Sequence, residues 1–500
     1  MKKIVMLFLC LAAVMPVMAQ SATFLVPTPE GVPLYYQITD KPNKKVSLVQ
    51  NPNTVSPPYP HYAKVIVPEK ITYKGETYDV TLVDYSGLGP MAVDSLSLPA
   101  NLKFGWQPLV GCKLKNLYLP KNLEVIPNNF LWSSLGGEYS VKEIWVNPAL
   151  KRIEEFSTWC VGTSIKRFHG FADSHIEEIK NWAFDVRSTQ TELIKDLSVL
   201  PQTIRILEGG CFGYSPMPLD KVVIPASMEN IGNGVYDISN DVYIKSSNPF
   251  TLGTTPFGTQ STLKIHVPVD RSYAFKSAAN WASYADKIVE DLQIGTTGYI
   301  SYYLGTENFL VPAGCPAYII TGVTPSGSIT TPDQAVVKAF SAGKIIPKKT
   351  GFILQGAPNS TVIYQANVSG PEESVTGNLL VGTATDQEFS LAGHKFYVLA
   401  NGDQGLGFYK QGTRGGASIK LKPHRAGLRL DESIGRAKSL IFDFDAARRE
   451  AETTGIRSVR PEMQRRDNAV YDLQGRRVIN PTHGIYIING NKIIKYPQQQ

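Results

Sequence analysis

The chain has 500 residues, 43% of them hydrophobic, and a formal charge of +7 from 50 Lys and Arg against 43 Asp and Glu. That apolar content supports packed cores, and the length allows about three domains at roughly 150 residues each. The small charge excess includes Lys2 and Lys3 and comes without a long basic run, which argues against a dedicated nucleic-acid binder.

In chain order, Met1-Lys-Lys and the apolar stretch Ile4 to Val14 precede Val17-Met18-Ala19, which places short residues before a cleavage point at Gln20. This pattern predicts a secretory signal peptide over residues 1–19. The stretch is too short for a membrane-spanning helix, and Cys10 lacks the small preceding residues of a lipoprotein signal. No later segment reaches 18 apolar residues, so the mature chain is expected to be exported, soluble, and secreted or held at the cell surface.

Residues 20–86 read as β: FLVP, LYYQITD, KVSLV, AKVIVP and ITYKGETYDVTLV, separated by turns such as Tyr73-Lys-Gly-Glu76. This segment is expected to cap a run of repeats on its C-terminal side. From Val93 to Pro268 seven short apolar strands recur, most of them ending at or near a proline. They are VDSLSLP, LKNLYLP, VKEIWVNP, IKRFHGF, IKDLSVLP, LDKVVIP and LKIHVP, with a weaker copy, DVYIKSS, from Asp241. Repetition at about 20–30 residues is the mark of a leucine-rich solenoid, here expected over residues 87–292. Its positions follow L-x-x-L-x-L, as in Leu114, Leu117 and Leu119, which sends these side chains inward and their neighbours outward. The period breaks after Pro268, where Asp270 to Asn280, Trp281 and Tyr284 lead to Ile288-Val-Glu-Asp as a terminal cap.

Strand-like runs such as YISYYL, PAYIITGV, GFILQG and KFYVLANGD then suggest an antiparallel sandwich-like or barrel-like domain over 293–450. Residues 451–468 read as a charged linker, and 469–500 as a small β module of three short strands. The expected class is mostly β throughout.

Four cysteines remain after the signal peptide: Cys112, Cys160, Cys211 and Cys315. Export permits disulfides. Cys112 and Cys160 fall in equivalent turns, but the strand at Val141 lies between them. Strands about 4.8 Å apart put them roughly 10 Å apart, beyond bridging range. Free, buried thiols are expected.

The units LVGCKLKNLYLP, FSTWCVGTSIKRF, NWAF and GGCFGYSPMPLDKVVIP resemble BspA-type leucine-rich repeats. LKIHVPVDRSYAFKSAANWASYADKIVED is similar to the module that closes such arrays. TTGI at Thr453–Ile456, with VYDLQGRRV and GIYIINGNKIIKY after it, resembles the sorting tail of type IX secretion substrates, with Arg476-Arg477 inside that signature. The repeats are irregular in length, and Phe171 replaces the strand-terminal proline after Ile165. The resemblance covers Val93–Asp291 and Thr453–Tyr496, and implies surface or secreted proteins, some of them adhesins, with no enzymatic activity and no fixed ligand.

The outward strand positions supply the candidate site. At the fifth position stand Ser97, Tyr118, Trp145, His169, Ser198 and Val223, then Tyr243 and His266. Tyr118, Trp145 and His169 are expected to stack about 5 Å apart on one face. At the second position stand Lys115, Lys142, Lys166 and Lys195, flanked by Asp94 and Asp220. Glu143 and Asp196 would partly neutralise these lysines, and strict alternation would turn the second position towards the core side, so that the lysines splay to the sheet edge. Exposed rings beside cations suit recognition of an extracellular protein or glycan.

The alternative places glycan capture on the middle β domain, through Tyr299, Tyr302, Tyr303, Tyr318, Tyr364, Tyr397 and Tyr409, with the solenoid as a spacer. An enzyme is not expected. No Gly-x-Ser-x-Gly elbow, Walker loop or His-Glu-x-x-His motif is present. Cys160 and His169 fall on a core turn and an outer face respectively. Phe442-Asp-Phe-Asp445 reads as an acidic strand, and Asn401-Gly-Asp-Gln-Gly as a hairpin turn; neither completes a calcium site. No cofactor or metal is expected, and the chain is expected to be a monomer.

Overall fold

The repeating apolar triplets pair as parallel rungs. The computed structural model describes residues 22–53, 60–89, 91–110, 112–131, 141–155, 165–213, 215–411, 420–434, 437–457, 470–472, 477–479, 481, 484–488 and 491–495. The signal-peptide segment and Cys160 lie outside them. The described fold is mostly β.

His61–Ile66, Met91–Ser97, Cys112–Tyr118, Glu143–Trp145 and Arg167–His169 lie side by side in one parallel sheet. Val65, Leu96, Leu117, Ile144 and Phe168 stand in register across it and are all buried. On the opposite side run two-residue strands: Val125–Ile126, Arg152–Ile153, Glu178–Ile179, Ile206–Leu207, Asn230–Ile231 and Thr251–Leu252. Their inward residues, Ile126, Ile153, Ile179, Leu207, Ile231 and Leu252, form a second buried column. One core joins both sides, continuous from Phe24 to Ile288.

A corner lets each coil pass from the short strands back towards the wide sheet. Three residues beyond Val83, Phe104, Ile126, Ile179, Leu207 and Ile231 the backbone turns left-handed: Ser86, Gln107, Asn129, Trp182, Gly210 and Gly234, with φ between 47° and 60°. Glycine and asparagine accept that region readily, whereas Ser86, Gln107 and Trp182 hold it only because the coil imposes it.

The ladder starts earlier than residue 87. His61–Ile66 is its first rung, and Glu76–Val83, at the centre of the N-terminal sheet, pairs in parallel with Lys103–Phe104. The ladder is also interrupted. The expected strand from Ile194 is part of a helix, Thr191–Leu197. Ile194, Leu197 and Val199 satisfy the L-x-x-L-x-L pattern, but Leu193 and Leu197 share a helical face and are buried, while Val199 is 58% exposed. The helix covers the free edge of Arg167–His169. Asp196 accepts the Phe168 N–H at 2.9 Å and two bonds from the Arg167 guanidinium at 2.8 and 3.0 Å.

Met217–Ile224, Tyr236–Ile244, Lys264–His266 and Ile288–Gln293 resume parallel pairing, and Thr361–Tyr364 of the next region adds an antiparallel strand at the end. That strand ties the ladder to a nine-stranded sheet, ordered Tyr299–Tyr303, Gly351–Gln355, Ala317–Thr324, Asp333–Phe340, Ser439–Ile441, Gly405–Lys410, His394–Gly402, Arg425–Asp431 and Leu380–Thr383. The expected antiparallel sandwich-like or barrel-like domain is a single sheet, antiparallel except for the pairing between Asp333–Phe340 and Ser439–Ile441. It curls until Gly351 lies against Leu380 and Ala426. Alternation feeds two cores: Ala317 and Ile319 enter one, Tyr318 and Ile320 the other.

Two further expectations change. Phe442 to Asp445 is not a strand; Asp443 accepts the Ala446 N–H at 2.8 Å and opens the helix Phe444–Arg457, which occupies the first part of the expected linker. The C-terminal module has four strands, not three: Val470–Tyr471, Arg477–Val478, Gly484–Ile488 and Asn491–Lys495. The turn at Asn401 does close a hairpin. Cys112 and Cys211 are buried free thiols and Cys315 is a half-buried one. Burial pushes the Cys112 thiol up to about 12 and raises the other two, which keeps them protonated and unreactive. Among the described residues no helix is long and apolar enough to cross a membrane.

Candidate binding face

The L-x-x-L spacing leaves two consecutive residues of each rung facing outward, and the next outward position lies beyond the second leucine. That position carries Tyr118, Trp145 and His169, whose Cα atoms are direct cross-strand partners. Their rings stack as the register demands. Tyr118 and Trp145 have centroids 4.5 Å apart at 22°, and Trp145 and His169 have centroids 4.3 Å apart at 17°. Tyr118 is 45% exposed, while Trp145 and His169 are half-buried. Glu143 holds the far end of the stack through His169 Nε2 at 2.9 Å. The next two positions of the expected column behave differently: Ser198 is the C-cap of the helix, and Val223 opens the second sheet.

Three of the four lysines take equivalent places. The Lys142 N–H bonds the Leu114 and Lys115 carbonyls, and the Lys166 N–H bonds the Lys142 carbonyl, so these residues mark adjacent rungs. Lys115 and Lys166 are exposed and Lys142 is half-buried. Lys195 does not belong with them, because it sits on the helix Thr191–Leu197. Neither expected carboxylate pairs with a lysine of the row: Glu143 meets His169 and Asp196 meets Arg167. Asp94 lies 3.3 Å from His61. Among the described residues Lys115, Lys142 and Lys166 have no ion-pair partner.

The short-strand side is the reverse. Glu124, Lys151, Glu177, Arg205 and Glu229 form an alternating ladder, with Lys151–Glu124 at 3.0 Å, Arg205–Glu177 at 3.5 Å and Arg205–Glu229 at 2.8 Å. Beside it Lys180 bridges Glu178 and Glu208 at 3.1 and 2.9 Å. Charges there satisfy one another between coils.

The second sheet repeats the stack once, with Tyr243 and His266 centroids 4.3 Å apart. His266, expected on the outside, is 4% exposed. Its Nδ1 and Nε2 meet Asp291 at 2.8 Å and Asp241 at 3.0 Å. Burial alone would lower its pKa, but the bonds and charges of Asp291 and Asp241 outweigh that and raise it. This is a structural clamp.

The strand register missed one exposed pair. Tyr85 and Trp106, 39% and 57% exposed, stack at 5.4 Å on successive coil corners, just before the left-handed Ser86 and Gln107. Their signal was the common spacing from Val83 and Phe104. The tyrosines of the alternative site are engaged elsewhere. Tyr302, Tyr318, Tyr364 and Tyr397 are buried, Tyr299 stacks on Phe444, Tyr303 covers Gly382, and the Tyr409 hydroxyl donates to the Gly405 carbonyl.

No protein-family model matches the chain, and no curated protein matches it. Two solved structures are similar in part. One is a leucine-rich repeat protein from Bacteroides ovatus, 12% identical, with a TM-score of 0.21, covering 51% of this chain and 74% of that one. The other is a leucine-rich cell surface protein from Faecalibacterium prausnitzii, 10% identical, with a TM-score of 0.19, covering 52% of this chain and 81% of that one. Likeness at this level does not establish a shared fold or function.

Proposed function

We propose that the chain is a non-enzymatic, secreted or cell-surface binding protein of adhesin-like type. Its parallel ladder is a BspA-like leucine-rich-repeat solenoid that recognises an extracellular protein or glycan with the outer face of the first sheet. The observation that supports this reading is the in-register stack of Tyr118, Trp145 and His169 beside lysines that have no ion-pair partner among the described residues. Rings held by a sheet add contact area at little entropic cost, and cations that no carboxylate neutralises are available to a ligand.

Tyr118→Ala with Trp145→Ala tests the assignment. In a screen of host proteins and glycans, the double variant is expected to lose the binding that the parent shows while retaining its circular dichroism. Unchanged binding would remove the sheet face from the account. The C-terminal four-stranded module is proposed as a sorting tail: deleting residues 469–500 is expected to alter export or surface attachment in the native host, and unchanged localisation would count against it.

A further inference from the structure

The stack Tyr118–Trp145–His169 has one end closed and one end open. His169 is held by Glu143 at the closed end. At the other end the next rung carries Ser97, which comes directly after Leu96, the Cα partner of Leu117, and so stands beside Tyr118. Beyond it, Ser97 faces Ile66. Of Tyr118's two ring faces, one lies on Trp145, and among the described residues no ring covers the other.

Two strand spacings separate Ile66 from Tyr118, roughly 10 Å. Ring stacking takes about 4.5 Å per step, so the gap above Ser97 has the width of one inserted ring. Between Ile66 and Tyr118 the outward side chains of the rungs are polar. Ser95, Ser97 and Asn116 face outward, and among the described residues none of them has a side-chain hydrogen bond to the protein. An aromatic side chain would leave those hydroxyl and amide groups without partners, whereas a polyhydroxylated ring satisfies them.

Charge adds a second constraint. Lys64, Lys115, Lys142 and Lys166 have no ion-pair partner among the described residues. The carboxylates of this face, Asp94, Glu143 and Asp196, are each on His61, His169 and Arg167. Among the described residues the lysines of this face are therefore left without a carboxylate partner.

We infer that this face binds an acidic glycan, with one pyranose ring seated over Ser97 against the open face of Tyr118 and neighbouring carboxylates or sulfates directed to the lysine row. The C–H face of a pyranose meets the electron-rich ring of Tyr118, as a cation or a ring edge would. Its hydroxyls meet Ser95, Ser97 and Asn116. This assignment rests on the sheet-face reading and narrows its ligand to one chemical class.

The test uses the full chain and titration calorimetry against heparin, hyaluronan and polygalacturonate, with dextran, mannan and polyglutamate as controls. At least one acidic glycan is expected to bind, more weakly at higher salt, and more tightly than the neutral glycans or polyglutamate. Tyr118→Ala is expected to weaken it about tenfold. Ser97→Trp fills the slot with a ring of the protein's own and should have an equal or larger effect. Lys115→Gln with Lys166→Gln should flatten the salt dependence. All four positions are exposed, so melting curves should not shift. The inference is overturned if no acidic glycan binds above the neutral controls, if polyglutamate binds as well, or if Ser97→Trp leaves binding intact. Should those failures occur while Tyr118→Ala with Trp145→Ala still abolishes binding of a protein ligand, the sheet face stands and only the glycan falls.

Discussion

Replacing Glu307 with Gln is expected to remove a large part of the pH dependence of stability at the junction between the ladder and the curled sheet. Glu290, fully buried on Ile288–Gln293, accepts the N–H groups of Asp270, Arg271 and Ser272, the Ser272 hydroxyl at 2.7 Å and the Tyr364 hydroxyl at 2.6 Å. Tyr364 in turn meets Tyr302 at 2.6 Å, so the network spans both sides of the junction. Glu307 is 1% exposed, accepts the Tyr273 N–H, and has its Oε2 buried without a hydrogen-bond partner. Burial first, then the Glu290 carboxylate beside it, pushes its pKa up to about 9. A carboxyl group whose folded pKa is raised contributes its full stability below the unfolded value of about 4.3, and that contribution declines as pH rises towards the folded pKa. The loss is about 1.4 kcal/mol per pH unit, hence about 2 to 3 kcal/mol between pH 5 and pH 7. Glutamine keeps an oxygen for the Tyr273 N–H and cannot ionise. Thermal melting of parent and Glu307→Gln across pH 5 to 9 should therefore show two lines that diverge, with the variant gaining on the parent by roughly 2–4 °C for each kcal/mol. Parallel lines would show that Glu307 ionises as readily in the folded chain as in the unfolded one, and would refute the buried-proton account.

The Asp291→Asn variant weakens the His266 clamp. Because the folded imidazolium is favoured, its contribution is complete below the ordinary histidine pKa and is lost as pH rises through the raised value, so the variant should melt lower than the parent at pH 5.5 and converge on it at pH 9. A constant gap would exclude a charged His266. At Gly232 a Cβ would stand 2.3 Å from the Gly209 nitrogen of the preceding coil; Gly232→Ala should cost about 1–3 kcal/mol in urea unfolding, and a change below about 0.5 kcal/mol would mean that the coils are not packed at that distance. Asp196→Ala uncaps Phe168 and frees Arg167. It should speed amide exchange at Phe168 selectively, and exchange as slow as in the parent would show that the helix alone protects that edge.

How much of this is readable from the residues depends on how local the cause is. The inward leucines are readable, because the L-x-x-L spacing recurs within each single repeat: Leu114, Leu117, Ile144, Ile165 and Phe168 are all buried. The aromatic register is readable for the same reason, repeated three times. The stretch from Thr191 to Leu200 misleads because Ile194 and Leu197, three apart, fit the repeat consensus and a helical face equally well, and the choice is made by burial of Leu193 against the coil. The first rung at His61 escapes notice because its partner, Met91–Ser97, lies some 30 residues on and the sequence between them reads as a separate hairpin. Left-handed corners at Ser86, Gln107 and Trp182 carry no sequence signal at all, since these residue types avoid that conformation when left to themselves.

Charge distinguishes the two sides of the ladder more sharply than hydrophobicity does. Both sides bury a continuous apolar column, so burial cannot say which one faces a ligand. On the short-strand side the chain alternates acid and base from coil to coil, Glu124, Lys151, Glu177, Arg205 and Glu229. Such a ladder is worth little per exposed pair, but it engages the charges of that side with one another. On the wide sheet the same coils place Lys115, Lys142 and Lys166 one above another, a like-charged column that has no carboxylate partner among the described residues and costs stability while it is not neutralised. Three successive rungs carry that repulsion next to rings whose stacking ends at an open face. The unfavourable column and the unfinished stack would both be resolved by one event, the arrival of an anionic ring, and that common resolution is why we propose this side as the binding face.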